Sequence, residues 1–291
     1  MPLVSMNEML ADARGRRYAV PMFDVSNTAM IRAAVEVAEA ERSPVILGAL
    51  EPDIAGAGLE YWFAAAKLAA EKASTPVCIH LDHAVAMAQI KRVVDIGFSS
   101  VMLDASAEEF EENIRRTKEA CLAVRKLGVS VEAELGHVGD GIAGSGESAA
   151  AGHQGTEGTL TEPAKVAEFV ERTGVDALAV AIGTAHGVYI TAPELDIPRM
   201  KRINELSPVP LVLHGGSGTP EDQLRNAIAN GISKINIYSE LLHAWNSAML
   251  KTLKSLKNLS AWPSAVQLGP DAAMRQAILD KIALFGSKGK A

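Results

Sequence analysis

The chain is poor in the residues that would mark several protein classes. Cysteine occurs only twice in 291 residues, as Cys78 and Cys121, far apart and within apolar periodic segments. No CxxC pair and no Cys/His zinc-finger spacing occurs, so neither a disulfide framework nor a structural zinc module is indicated. The two thiols read as buried and free, in a reducing compartment. Basic residues are in deficit: 28 Lys and Arg face 35 Asp and Glu, a net charge of −7. A broad nucleic-acid or anionic-membrane surface needs the opposite balance. A small anion held locally is not excluded. No apolar run approaches the ~18 residues of a membrane span. The first twenty residues carry Glu8, Asp12, Arg14, Arg16 and Arg17, and so lack a signal-peptide core. The expected location is cytoplasmic.

What is present is alternation. Short apolar, β-rich runs fall at 18–25, 44–50, 77–83, 100–105, 129–136, 177–183, 210–214 and 234–239. Near-continuous runs such as Ser-Val-Met-Leu-Asp-Ala suit strands buried on both faces, as in parallel sheets. Amphipathic runs lie between them. From 108 to 127, Phe110, Ile114, Cys121 and Val124 share one stripe. Ser106 with Glu109 predicts a capping box, and Thr219-Pro220 predicts an N-cap followed by proline at the first helical position. Eight strand–helix units predict a single-domain (β/α)8 barrel over residues 1–291. A doubly wound sheet is second, because no GxGxxG follows the first strand. Residues 137–161 are rich in Gly, Ala and Ser, a connection long enough to predict a mobile lid. The extension 258–291 predicts one added helix over 271–285, outside the barrel or against another subunit.

Such barrels place their chemistry at the C-terminal ends of the strands. Strand by strand, those ends offer Asp24, Asp82-His83, Asp104, Glu132 and Glu134, His186, His214-Gly-Gly-Ser-Gly, and Asn236 to Ser239. Three histidines at the ends of strands three, six and seven would converge above the barrel. Three neutral imidazoles with one open position suit a catalytic zinc. His83, His186 and His214 are therefore the candidate ligands. His80 lies deeper and suits the core; His137 and His153 fall in the lid and His243 in the last helix. Asp82 is open between an orienting carboxylate and a general acid/base. Asp104 and Glu134 are open between support and a secondary metal position. The loop Gly215-Gly216-Ser217-Gly218 leaves backbone N–H groups free for an anion, where barrels of this kind hold phosphate. No lysine falls at a strand's C-terminal end, since Lys234 opens strand eight. A Schiff-base mechanism is disfavoured, and metal-assisted chemistry on a phosphorylated small molecule remains.

These residues fall into stretches that occur together: Tyr-Ala-Val-Pro-x-Phe at 18–23, His-Leu-Asp-His at 80–83, Ser-Val-Met-Leu-Asp-Ala-Ser at 100–106 and Val-Glu-Ala-Glu-Leu-Gly at 131–136. Ala-Ile-Gly-Thr-Ala-His-Gly at 181–187, Leu-Val-Leu-His-Gly-Gly-Ser-Gly at 211–218 and Lys-Ile-Asn-Ile at 234–237 complete the set. In order and over nearly the whole chain, this resembles the class II, zinc-dependent ketose-bisphosphate aldolases of the fructose and tagatose type. The resemblance implies a homo-oligomeric barrel, dimer or tetramer, with one catalytic zinc per subunit and room for a monovalent cation. It implies His83, His186 and His214 as metal ligands and Asp82 as the proton donor/acceptor. It implies a dihydroxyacetone phosphate site at Gly187, Gly215, Gly216, Ser217, Asn236, Ile237, Tyr238 and Ser239. Asp104 and Glu134 match carboxylates near an alternative metal position. The implied reaction is reversible cleavage of a ketose 1,6-bisphosphate to dihydroxyacetone phosphate and an aldehyde.

The departures from the family pattern fall elsewhere. The first strand ends in Asp24 where the family has Asn. Strand two ends in Leu50 where a hydroxyl residue is common, and Tyr238 stands where a small residue or Asp is usual. The lid runs Gly139-Asp140-Gly141-Ile142, without the family's glutamate; Asp140 and Glu147 are the candidate replacements. Asp24 and Leu50 are thus specificity candidates. The alternative substrate is a different 1-phosphoketose, with or without a second phosphate. A metal-dependent hydrolase and a non-catalytic sugar-phosphate binder are the further alternatives.

Overall fold

Each barrel strand carries two sets of side chains, and each set has its own core. Along β1 (Val20–Asp24), Val20 and Met22 face inward, while Ala19 and Phe23 face the surrounding helices. In the computed structural model, which describes residues 3–141 and 158–291, this repeats around the ring. The strands are β1, β2 (Val45–Ala49), β3 (Val77–Ala84), β4 (Ser100–Leu103), β5 (Ser130–Leu135), β7 (Ala177–Val180), β9 (Leu211–Leu213) and β10 (Ile232–Ile237). All pairings are parallel, and β1 closes the ring by pairing with both β2 and β10. The fold is a (β/α)8 TIM barrel. Two short strands, β6 (Gly139–Asp140) and β8 (Ala185–His186), pair above its rim.

The inner core is Met22, Ile46, Cys78, Ala177, Ala179 and Val212, closed from below by Met6, Met9 and Leu10 of the first helix, Met6–Arg16. Two residues further up each strand, the same inward direction reaches Asp24, Gly48, His80, Ala181 and His214. At β1, β3 and β9 the inward face therefore changes from apolar to polar within one step of the pleat, while Gly48 and Ala181 leave room beside them. Gly48 pairs in register with Asp24, and a Cβ at Gly48 would lie 2.3 Å from Asp24 Oδ1. Glycine there makes room for the carboxylate.

Several boundaries differ from the sequence reading. Lys234 is the third residue of β10, not its first, and Ser239 begins the helix Ser239–Ser255. The capping box at Ser106 does not form: the helix Phe110–Val124 starts from Glu109, and Ser106 bonds elsewhere. The helix Glu221–Ala229 is capped by Pro220, one residue later than Thr219 predicts. The last helix runs Pro263–Leu284, taking in Gly269 and Pro270. Its buried Met274, Ile278 and Ile282 join the outer core. The ends of the expected lid are structured. His137 and Thr159 exchange backbone hydrogen bonds at 2.8 Å each, and Gly141 N–H donates to His186 C=O at 2.8 Å. Residues 142–157, including Glu147 and His153, lie outside the described residues. Among the described residues, no helix is long and apolar enough to cross a membrane.

Candidate active site

Consecutive residues in a strand point to opposite faces, so Asp82 and His83 should not meet in one pocket. They do, because β3 breaks its regular course between them. His83 has φ +48°, and the β3–β4 register shifts between Leu81 and Ala84. A bulge of this kind re-aims a side chain at the end of a strand. A non-glycine residue in the left-handed region carries strain, which the surrounding contacts must hold. The result sets His83 Nε2 3.8 Å from Asp82 Oδ2.

His186 on β8 and His214 after β9 complete a cluster. The His83 ring centroid lies 4.7 Å from that of His186 and 4.7 Å from that of His214. Each of the three offers a nitrogen, all within 4.8 Å of one another. His83 Nε2, His186 Nε2 and His214 Nδ1 are buried and have no hydrogen-bond partner among the described residues. Buried imidazole nitrogens are costly to leave bare. Three together suit a divalent cation such as zinc, so the residues fit the implied metal.

The other nitrogens hold the rings in place. Asp104 Oδ2 lies 2.8 Å from His83 Nδ1, and Glu132 Oε1 lies 2.8 Å from His214 Nε2. These contacts put the proton on the far nitrogen and leave the near one to ligate. The second oxygen of Glu132 accepts from Lys234 Nζ at 2.7 Å, with both groups fully buried. Lys234 thus serves the floor of the site and is not offered to a substrate. Glu134 Oε2 lies 3.2 Å from His214 Nδ1, and Oε1 accepts from Val138 N–H. His80 is a core residue, bonded to Ser100 through Nδ1 at 2.7 Å.

Asp82 accepts from Asn236 Nδ2 at 3.0 Å, and its Oδ1 has no hydrogen-bond partner among the described residues. Burial pushes this carboxyl up, but His83, His80, Lys234 and His214 outweigh it and hold it well below the usual range. Burial lowers the imidazoles too. For His214, Glu132 and Glu134 reverse that and raise it to about 9. His83 is likewise raised, by Asp82 and Asp104 against its burial. His186 is lowered by burial and by the other two rings.

The glycine loop sits close to the cluster. Gly215 has φ +66°, and a Cβ there would lie 2.4 Å from Ala185 C=O. Gly216 packs equally tightly on Ile235 and Asn236. Gly187, with φ +88°, follows His186 directly. Ser217 Oγ accepts from the N–H groups of Tyr238 and Glu240 at 3.1 and 3.3 Å, which leaves its own proton for another acceptor. Ser239 Oγ is buried and without a hydrogen-bond partner among the described residues, at the start of the 17-residue helix Ser239–Ser255. A helix N-terminus with a free hydroxyl favours an anion.

Not every sequence candidate joins this cradle. Asn236 Nδ2 is turned to Asp82, and Ile237 packs into the outer core. The Tyr238 hydroxyl donates to Asp53 Oδ2 at 2.8 Å and lies 3.0 Å from Ser26 Oγ. Leu50 is buried and precedes the helix Glu51–Ala57. Asp24 is fully buried at the top of β1. The sequence reading missed Lys234 as a partner of Glu132, Asn236 as the holder of Asp82, and Ser106 with His137. Strand parity carried a signal for the first two, since 132/134 and 234/236 are inward pairs.

A barrel with converging imidazoles, an aspartate beside them and a glycine-rich loop at one mouth has the form of a metal-assisted enzyme. The chain belongs to the class-II fructose-bisphosphate aldolase family, whose model, "Fructose-bisphosphate aldolase class-II", matches residues 4–290. It is 39% identical to a fructose-bisphosphate aldolase of Geobacillus stearothermophilus, covering 100% of this chain and 99% of that one. It is 38% identical to a 6-phospho-5-dehydro-2-deoxy-D-gluconate aldolase of Halalkalibacterium halodurans, covering 100% and 99%. The solved structure of the YdjI aldolase from Escherichia coli K12 superposes with a TM-score of 0.86 at 38% identity, covering 99% of each chain. The protein is thus an aldolase, a lyase, of a generally zinc-dependent family that acts on phosphorylated sugars.

Ligating imidazoles must be neutral, whereas Glu132 and Glu134 push the His214 imidazole up to about 9. Metal uptake at neutral pH should therefore release protons. Apparent affinity should fall as pH is lowered below about 9, by roughly tenfold per pH unit for each proton displaced. Competition with a chromophoric chelator between pH 6 and 8 measures this. A pH-independent affinity, or a His214→Ala protein that keeps its metal, would contradict the site.

Proposed function

We propose that the protein catalyses reversible aldol cleavage of a ketose 1-phosphate, of the fructose or tagatose 1,6-bisphosphate class, to dihydroxyacetone phosphate and an aldehyde. The observation that carries this is the placement of Asp82, whose carboxyl is held well below its usual range, beside three imidazole nitrogens that lack a hydrogen-bond partner among the described residues. His83, His186 and His214 would hold zinc, which when bound polarises the ketose carbonyl and stabilises the negative charge that develops in cleavage. Asp82 takes the C4 hydroxyl proton as the C3–C4 bond breaks, and returns it in condensation. Asn236 fixes the carboxylate for this transfer. Gly187, Gly215, Gly216, Ser217 and Ser239 anchor the phosphate, so the reacting carbons are held in place. Asp104 and Glu132 orient the ligand histidines, and Asp104 and Glu134 are the carboxylates that would serve an alternative metal position.

Asp82→Ala should retain metal and lose at least roughly 10²-fold in cleavage rate, as for a removed general acid/base. Normal turnover by this variant would reduce Asp82 to an orienting residue.

A second reading concerns the aldehyde. Asp24 places a buried carboxylate at the top of β1, Leu50 offers no hydroxyl, and Tyr238 adds bulk whose polar tip is held by Asp53. A carboxylate repels a second phosphate and accepts hydrogen bonds from hydroxyls. Glyceraldehyde 3-phosphate should therefore condense more slowly with dihydroxyacetone phosphate than an unphosphorylated hydroxyaldehyde, and Asp24→Asn should narrow the gap. Condensation rates for both aldehydes decide it. If glyceraldehyde 3-phosphate is the better acceptor and Asp24→Asn changes nothing, the substrate is the bisphosphate.

A further inference from the structure

Valence fixes the direction of one hydrogen-bonded chain that leaves the metal cluster. His83 Nδ1–H donates to Asp104 Oδ2 at 2.8 Å, because its Nε2 is the ligating nitrogen. The other Asp104 oxygen takes two donors from Ser106, the hydroxyl at 2.7 Å and the backbone N–H at 3.0 Å. With its only proton given to Asp104, Ser106 Oγ must accept at its remaining contact, His137 Nδ1 at 2.8 Å. His137 Nδ1 therefore carries a proton, and the chain runs His137 to Ser106 to Asp104, with His83 donating from the other side.

The far end of this chain is the root of the 137–161 connection. His137 is buried there, and its backbone is tied to Thr159 by two hydrogen bonds of 2.8 Å. The next residue, Val138, donates its N–H to Glu134, which abuts His214. Gly141 N–H reaches His186 C=O. Three ligand histidines are thus each linked to the same short stretch, and the His83 link runs through a series of side chains, Asp104, Ser106 and His137, that can be changed singly.

We propose that His137 is a positioning residue of the metal centre, which through Ser106 and Asp104 fixes the ring of His83. This rests on the reading of His83, His186 and His214 as ligands. Groups that hydrogen-bond a metal ligand typically change metal affinity by ~10–100-fold when removed, and His137, two links further out through Ser106 and Asp104, should act at the lower end of that range. Cobalt(II) is the probe, because its visible absorption reports ligand geometry without any turnover. His137→Ala should weaken cobalt binding roughly tenfold and alter the absorption bands. His137→Asn, whose amide N–H takes the place of Nδ1–H, should restore both. With Ser106 already replaced by Ala, His137→Ala should add no further loss, because the chain is already cut. Should His137→Ala not fold, Ser106→Ala must still lose affinity and His137→Asn must still keep it. Wild-type affinity and bands in His137→Ala, or a full additional loss on the Ser106→Ala background, overturn the proposal. A wild-type protein that binds no cobalt overturns both the proposal and the ligand reading beneath it.

Discussion

Three imidazole nitrogens gathered inside the barrel mouth, without a hydrogen-bond partner among the described residues, are the constraint on which the rest of the site depends. Each costs free energy unless a cation or a donor meets it. The chain accepts this by fixing the opposite face of two rings with buried carboxylates, Asp104 for His83 and Glu132 for His214. Those carboxylates must in turn be satisfied, which accounts for Lys234 beneath Glu132 and Ser106 beside Asp104. Breaking one partner of a buried ion pair leaves the other charge uncompensated, at roughly 3–5 kcal/mol. The floor of the site is therefore as tightly specified as its ligands.

The barrel itself was largely legible. Two-sided burial makes parallel strands nearly continuous apolar runs, and all eight were readable as such. Their ends were less so, because main-chain pairing stops where side-chain pattern does not. Ser106 shows how a local signal misleads: its spacing to Glu109 suits a capping box, but the carboxylate of Asp104 takes the hydroxyl instead. His137 shows the opposite. A glycine-rich setting suggested mobility, while backbone pairing with Thr159 holds the residue in place.

The cluster of His83, His186 and His214 was legible from strand order alone. The means by which His83 joins it was not. Side-chain alternation sends Asp82 and His83 to opposite faces, and only a bulge with a left-handed backbone reconciles them. Lys234 was seen only as a lysine at the wrong end. Its true place follows from parity with Asn236, one step of the pleat above. Relatives named for different sugar substrates match this chain over its full length, and three of its departures, Asp24, Leu50 and Tyr238, lie outside the ligand set and the glycine loop.

If the site works as proposed, this mouth binds dihydroxyacetone phosphate by its phosphate and activates the carbon beside its carbonyl. Proton exchange tests it without any assumption about the aldehyde. Zinc-loaded protein incubated with dihydroxyacetone phosphate in deuterated water should replace one C3 hydrogen by deuterium, read by proton magnetic resonance. Protein stripped of metal should not. If the zinc-loaded protein leaves the C3 hydrogens untouched, the site does not do aldolase chemistry on this substrate.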